Sequence, residues 1–422
     1  MEIYKFGGAS VKDADAVRNV AEILNSQTKG PVCVVISAMG KTTNALEAIL
    51  DAFYHHQDNR DGLFKDLIGK HISILHGLFP EAAHPVYDKV RKLFGDLYGK
   101  LSDIAAIDYD RAYDRVVSYG ERLSTCIVSA YLAEVGIYNN ELDATQLLLT
   151  DGRFREGKIV WDVTESRIRR AVESQMDEQT QIVVTQGFIA SNEAGETVTL
   201  GREGSDYSAA VFAYCLDAER ITIWKDVPGV LNADPKYFRH TEKLDYISYF
   251  DATELAYYGA SIIHPKTIKP LQNKHIPLHV RSFVDVEAPG TWVGLDNVPN
   301  SKIPSYIVKN NQILLSIYPK DFSFVDEDNL SEIFGYFVKY GLKMNMMQNS
   351  ALSFSVCMDG DKGNVQAAIE ALSEHYDCRY NGDLKLVTIR HYTQEVIDRI
   401  VGDFQVMLEQ RSRQAVQLVL KP

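Results

Sequence analysis

The chain has 422 residues, 45% of them hydrophobic, enough for two or three domains with substantial cores. Its net charge of −13 speaks against a nucleic-acid surface, which calls for a basic face. The five cysteines (Cys33, Cys126, Cys215, Cys357, Cys378) are odd in number, far apart and without CxxC spacing, so reduced buried thiols and a cytoplasmic location are expected rather than a disulfide framework or zinc site.

The opening MEIYKFGGAS lacks a basic leader followed by an apolar run, and no apolar stretch approaches the ~20 residues of a membrane span, so neither a signal peptide nor a membrane partner is expected. Ile3 to Phe6 reads as a buried strand, Gly7-Gly8-Ala9-Ser10 as a turn, and Val11 to Asn25 as a helix. Strand, glycine turn and helix is a geometry that offers backbone N–H groups to phosphate, with Lys5 beside it as a point charge. PVCVVISAM, residues 31–39, is apolar enough for a strand buried on both faces. Gly40-Lys41-Thr42-Thr43 looks like the tail of a P-loop. That motif is rejected because the glycine it needs upstream is Val35. Thr42, Thr43 and Asn44 stay candidates for polar contacts.

Residues 44 to about 135 read as helices, with Ser118-Tyr119-Gly120-Glu121 leading into one of them. Glu121 is either a first-turn acid favoured by the helix dipole or a partner for a substrate amine. His55-His56 point to different helix faces, which argues for solvated histidines over a metal pair. A strand is expected over Gly136 to Leu142, a polar loop at Asp151-Gly152-Arg153, a helix over Ile168 to Met176 and a strand over Gln181 to Ile189.

The stretch Thr197 to Lys236 carries the densest set of polar candidates. Val198-Thr199-Leu200 reads as a strand, Gly201-Arg202-Glu203-Gly204 as a turn, and Ser205 or Asp206 as the cap of a helix from about Tyr207. Ile221 to Trp224 is a second strand, followed by Lys225-Asp226-Val227-Pro228-Gly229. Two strand-to-loop edges side by side make a cleft at the carboxyl ends of a sheet, and Arg202 ahead of a helix N-terminus suits an anion. The plainer reading of GREGSD is a glycine turn with a cap. Ser248 to Leu271 reads as two helices broken at His264-Pro265, and Ile276 to Ser282 as the last strand of an α/β domain with a mainly parallel sheet. Glu287 to Pro304 is the expected linker. Beyond it the pattern is βαββαβ followed by βαββ, with strands at 312–318, 342–346, 351–358, 377–380, 385–391, 404–409 and 414–420.

KFGGAS, VVISAMG, SYGERLS, TQGFIAS, TLGREGSDYSA, WKDVPGVLNADPK and ELAYYGASIIHPKT, in that order, resemble aspartate kinase. The resemblance implies a three-layer αβα kinase domain over residues 1–295, an ACT-like domain over 305–383 and a truncated second one over 384–422. It implies ATP-dependent phosphorylation of the L-aspartate side chain to L-aspartyl 4-phosphate, with Mg²⁺ carried by ATP rather than by a protein metal site. Nothing like the homoserine dehydrogenase part of bifunctional relatives is expected before Pro422. Lys5 and Asp206 take the catalytic positions. Thr43, Glu121, Arg202, Gly204 and Ser205 take the aspartate site, and Lys5, Gly7, Gly8, Lys225, Asp226, Leu231, Lys236 and Ser261 the ATP side. Asn345, Asn349 and Ser350 fall where relatives hold an amino-acid effector. A homodimer or homotetramer through the ACT-like parts is implied as well.

The sequence departs from the family in places. Glu203 stands at a common glycine, which implies that the position needs no glycine-only backbone. Leu231 replaces a common tyrosine, Lys236 an arginine, and Lys225 and Ser261 exchange the commoner threonine and lysine. The competing readings are a related kinase acting on glutamate, acetylglutamate, carbamate or UMP, and a catalytically silent amino-acid sensor.

Overall fold

The computed structural model describes residues 1–260, 263–294, 303–321, 323–361 and 363–422. The chain forms two compact units. The first comprises Met1–Val230, Lys243–Thr253 and Ile262–Asn300, and the second Leu231–Glu242, Glu254–Ser261 and Ser301–Pro422.

The first unit begins with strand β1 (Glu2–Phe6), a 3-10 turn (Gly8–Val11) and helix α1 (Ala14–Gln27). The helix starts later than the expected Val11 because the Asp13 side chain accepts a hydrogen bond from Ala16 N and caps it there. Strand β2 (Val32–Ile36) follows, then the helices α2 (Thr42–Tyr54), α3 (Arg60–Leu78), α4 (Val86–Leu101), α5 (Tyr109–Val117) and α6 (Tyr119–Glu134). Next come β3 (Asn140–Leu142), α7 (Ala144–Leu147), α8 (Trp161–Gln175), β4 (Ile182–Gln186), β5 (Ile189–Ser191), β6 (Thr197–Thr199), α9 (Gly204–Cys215), β7 (Arg220–Lys225) and β8 (Tyr246–Ser248). Helix α10 (Tyr249–Tyr258) leads from this unit into the second, and α11 (Pro265–Asn273), β9 (Leu278–Ser282) and β10 (Thr291–Gly294) complete the first.

Eight strands form one sheet in the order β3-β4-β2-β1-β7-β9-β10-β8, parallel except where β9 meets β10. The five residues of β2 are all buried, as parallel strands covered on both faces require. The register aligns the strand ends that matter. Phe6 sits opposite both Ile36 and Trp224, and Ile36 opposite Gln186. The loops leaving β1, β2, β4 and β7 therefore open at one level of the sheet. A stacked Phe6–Trp224 pair closes the core beneath them.

Two expectations in this unit are corrected. Residues 197–199 do not join the main sheet; β6 pairs antiparallel with β5 in a separate two-stranded ribbon. The strand expected from Gly136 is only Asn140–Leu142, since Gly136 turns through φ +82° just after α6.

The second unit holds β11 (Ser305–Pro319), α12 (Glu327–Lys339), β12 (Met344–Asn349), β13 (Phe354–Asp359), α13 (Val365–Ser373), β14 (Tyr376–Arg390), α14 (Gln394–Val401), β15 (Gln405–Arg411) and β16 (Ala415–Lys421). Its six strands make a single antiparallel sheet, β12-β13-β11-β14-β16-β15. The strands expected at 377–380 and 385–391 are one continuous strand, β14, carrying a register shift opposite Lys309–Leu314 and a left-handed Asp383 (φ +56°). The residues on either side of 383/384 are thus joined by β pairing to the same partner, β11. α12 begins in a capping box, with Asp326 Oδ1 accepting from Asn329 N and Asn329 Oδ1 from Asp326 N.

Candidate functional site

The aligned loops of the first unit enclose a cleft of about 790 Å³. Lys5, Gly8, Thr43, Glu121, Arg202, Gly204, Ser205 and Asp206 all line it. These residues are spread over about 200 positions of sequence, and parallel register is what assembles them.

Lys5 is the penultimate residue of β1 and is buried, an expensive place for an ammonium. Its charge is met by Asp206 in the first turn of α9: Nζ lies 2.6 Å from Oδ1. Lys225, closing β7, brings a second ammonium to 3.9 Å from Asp206 Oδ2. Burial alone would push the Asp206 carboxyl up. Lys5, and then Lys225, more than offset it and hold Asp206 below the usual carboxylate range.

Gly7 and Gly8 bring backbone up to this pair. A methyl group on Gly8 would stand 2.8 Å from Ala38 O and 2.9 Å from Gly40 O, so no larger residue fits between the two loops. The turn holds itself through Gly40 N donating to Gly8 O.

Glu121 opens α6 and is almost wholly buried. One carboxylate oxygen accepts from Ala38 N at 3.2 Å, and the other, Oε2, is buried with no hydrogen-bond partner. Burial pushes its pKa up to about 8, against the smaller opposing pulls of the Ala38 and Glu121 N–H groups and Lys5. A buried acid with one unmatched oxygen facing a polar cleft is suited to a ligand cation.

Arg202 is exposed and, among the described residues, has no ion-pair partner. Its turn is fixed from two sides. Lys266 Nζ donates to Leu200 O, and Glu203 Oε2 accepts from His264 N at 2.9 Å. On the other side buried Asp114 accepts from Thr199 N, Thr199 Oγ1 and Arg155 N. Two expectations are corrected here. The residue before helix α9 is Glu203, not Ser205 or Asp206, which lie inside the first turn; no side chain caps the helix. Glu203 also has φ +53°, the left-handed region that favours glycine, so the family glycine marks a real backbone demand that Glu203 meets under strain.

Of the other sequence candidates, Gly7 is adjacent to Lys5 and Asp226 is exposed beside Lys225. Leu231 and Lys236 belong to the second unit. Ser261 lies outside the described residues. The cleft also contains residues the sequence reading missed: Tyr113 and Asp110 of α5, Phe188, and Arg153, Phe154, Arg155 and Glu156 from the loop before α8. Arg155 stacks over Tyr113 at 4.2 Å and pairs with Asp110 at 3.2 Å. The signal for this loop was its charge density, RFRE at 153–156, next to a glycine.

In the second unit, Asn345 lies in a closed polar network. Its Oδ1 accepts from Lys309 Nζ, and its Nδ2 donates to Gln312 Oε1 and Asp359 Oδ1, each at 2.8 Å. Ser350 bonds locally to Ser353, and Asn349 is exposed on β12. Four of the cysteines are buried, with Cys33, Cys126, Cys215 and Cys357 pushed up to about 12 by burial, and Cys378 is half-buried. No helix among the described residues is long and apolar enough to cross a membrane.

Residues 1–282 match the amino acid kinase family. The chain is 30% identical over 359 residues to the lysine-sensitive aspartokinase 3 of Escherichia coli K12, covering 85% of this chain and 78% of that one. Its fold superposes on the crystal structure of E. coli aspartokinase III in complex with aspartate and ADP, an R-state, with a TM-score of 0.83 and 26% identity over 100% of this chain and 96% of the other. It superposes on the same enzyme in complex with lysine and aspartate, a T-state, with a TM-score of 0.82 and 26% identity over 99% and 95% of the two chains.

Proposed function

This chain belongs to the amino acid kinase family and, within it, to the aspartokinases, and we propose that its cleft transfers the γ-phosphoryl group of ATP to the side-chain carboxylate of L-aspartate. The product is L-aspartyl 4-phosphate, the entry to lysine, threonine and methionine biosynthesis. The observation that carries the assignment is the placing of Lys5, Asp206, Glu121 and Arg202 around one cleft.

The nucleophile needs no strong base. A carboxylic acid of pKa about 4 is already ionised at pH 7. The difficulty is the meeting of two anions, so the chain's task is positioning and charge. Arg202 takes a substrate carboxylate through its fork of donors, and Glu121 takes the α-ammonium. Thr43, Gly204 and Ser205 complete that pocket. Lys5, fixed by Asp206, meets the transferring phosphoryl group as negative charge shifts toward the leaving oxygen, while the Gly7-Gly8 backbone approaches it without side chains in the way. Lys225 and Asp226 serve the nucleotide side.

Mg²⁺ would ride on ATP and neutralise part of its phosphate charge. The donor set fits that arrangement: Lys5, Lys225 and Arg202 are cations, and Asp206 is already shared between the two lysines.

The second unit serves as a pair of ACT-like regulatory parts, over 305–383 and 384–422, beside a kinase domain over 1–295. Homodimers or homotetramers would form through it, and the reduced thiols suit a cytoplasmic enzyme.

A hydroxamate assay for acyl phosphate with aspartate, glutamate, acetylglutamate and carbamate as acceptors tests the proposal. Hydroxamate formed with aspartate and ATP supports it. A preference for another acceptor assigns a different member of the family, and no hydroxamate with any acid together with no ADP release with UMP assigns a silent sensor.

A further inference from the structure

Beside the main cleft, a second cavity of about 220 Å³ is lined by Lys100 at the end of α4, Arg111 and Arg115 on α5, Phe154, and Glu196 in the β5–β6 turn. Three cations face one carboxylate there, and that carboxylate is already committed. Glu196 pairs with Arg111 and accepts from Asn192 Nδ2 at 3.0 Å, and these bonds hold it below the usual range. Among the described residues, neither Lys100 nor Arg115 has an ion-pair partner. The Nε–H of Arg111 is buried and has no hydrogen-bond partner either.

Lys100 is exposed at the rim and Arg115 is half-buried, so their like charges meet across the cavity with no acid of their own among the described residues. The Lys100 ammonium is pulled below its ordinary pKa first by lost hydration and then by Arg122 and Arg115. An anion in the cavity would offset that repulsion. The volume holds several waters. That accommodates a compact oxyanion.

We infer that Lys100, Arg111 and Arg115 form a binding site for a small multiply charged oxyanion of the phosphate class, separate from the catalytic cleft. Phe154 lines both cavities, so it is the wall they share.

The test is isothermal titration of inorganic phosphate into the full chain saturated with aspartate and the Mg²⁺ complex of a non-hydrolysable ATP analogue, which fills the γ-phosphoryl position and keeps phosphate out of the main cleft. A parallel arm uses glycerol 3-phosphate, to separate free phosphate from a phosphorylated metabolite. The wild type should bind one phosphate per chain. Lys100→Gln/Arg115→Gln should weaken that binding tenfold or more while leaving kcat in phosphate-free buffer unchanged. Lys100→Gln alone, at the rim, should weaken it at least threefold, which covers the case of a misfolded double variant. No binding to the wild type, or equal binding to the variants, overturns the proposal.

Discussion

Lys5 Nζ and Asp206 Oδ1 stand 2.6 Å apart with both side chains almost wholly buried, so each charge depends on the other for its place in the core. Lys5 is therefore fixed before substrate arrives, which is what a group serving the transition state needs.

Lys5→Ala and Arg202→Ala should fail differently. Lys5→Ala should lower kcat by about 10²–10³-fold, the usual loss for one preorganised donor. In the proposed role Arg202 holds aspartate in ground state and transition state alike, so Arg202→Ala should raise the aspartate KM about tenfold or more with kcat little changed. Steady-state kinetics with aspartate and ATP varied separately check this. Equal effects confined to kcat would contradict the assignment, and no effect of Arg202→Ala would reduce it to a surface turn.

Much of this site was legible because its residues are the ends of apolar strands. β1 and β2 announce themselves by composition, and Lys5, Gly8 and Glu121 follow from where such strands and helices stop. The Arg153–Glu156 loop was legible only as a charged stretch, not as part of the site. Nothing periodic marks it, and it is carried to the cleft by Asp114, an acid that on a helix reads as solvent-facing but is fully buried against Thr199 and Arg155. Glu203 misled for a related reason: a side chain that bonds to His264 N, far along the sequence, can hold a left-handed backbone that glycine would adopt freely. In the second unit, local pattern shows strands but not that 376–390 is one strand spanning both halves of a sheet.

Strain and anchoring at Glu203 can be separated. Glu203→Ala keeps the left-handed φ and loses the acceptor for His264 N, so it should cost about 1–3 kcal/mol. Glu203→Gly also loses the acceptor but relieves backbone strain of about 1–2 kcal/mol, so it should lie close to wild type. Thermal melts should rank alanine well below glycine. The reverse order would show that φ +53° is not a cost here.

Aspartate binding should depend on pH through Glu121. In the empty cleft the group keeps its proton up to about pH 8, because burial penalises the carboxylate. Holding an ammonium requires the ionised form, so binding must expel that proton. The aspartate KM should fall as pH rises from 6 toward 8, by at most about tenfold per unit for one proton, and then level. Glu121→Gln should raise KM and flatten the slope. Stability has the opposite trend. The folded-state pKa is raised, so this group's contribution is full below the ordinary value of 4.5 and is lost as pH rises through about 8. The wild-type Tm should fall over that interval more than that of Glu121→Gln. A pH-independent KM would show that Glu121 is already ionised in the free enzyme.

Lys225 ends β7 and lies 3.9 Å from Asp206 Oδ2, and in the proposed site it joins nucleotide and catalytic charge. Lys225→Thr should raise the KM for ATP and, with one ammonium gone, weaken the hold on Asp206, so kcat should fall by several-fold too. Adding Ser261→Lys should recover part of the ATP affinity, with a coupling of about 0.5–3 kcal/mol if the two side chains share a task. A double variant no better than the single would show that they do not.

Lysine should inhibit weakly or not at all. The position expected to hold an effector ammonium is Asn345, a neutral amide that lacks the charge of a carboxylate. Its acceptor oxygen already takes a hydrogen bond from the chain's own ammonium, Lys309, and its NH₂ group is spent on Gln312 and Asp359. The cavity beside it, lined by Lys309, Lys343 and Asn345, measures about 10 Å³, the scale of a single water and far below an amino acid. Lys343 adds a like charge. Activity should therefore be unchanged by lysine, threonine or both at submillimolar concentration. Asn345→Asp combined with Lys309→Met should restore an acid and remove the competing ammonium, and lysine should then act at lower concentration than on the wild type. Half-inhibition of the wild type by submillimolar lysine, roughly 5 kcal/mol of binding, would show that the Lys309–Asn345 bond does not stand in the effector's way.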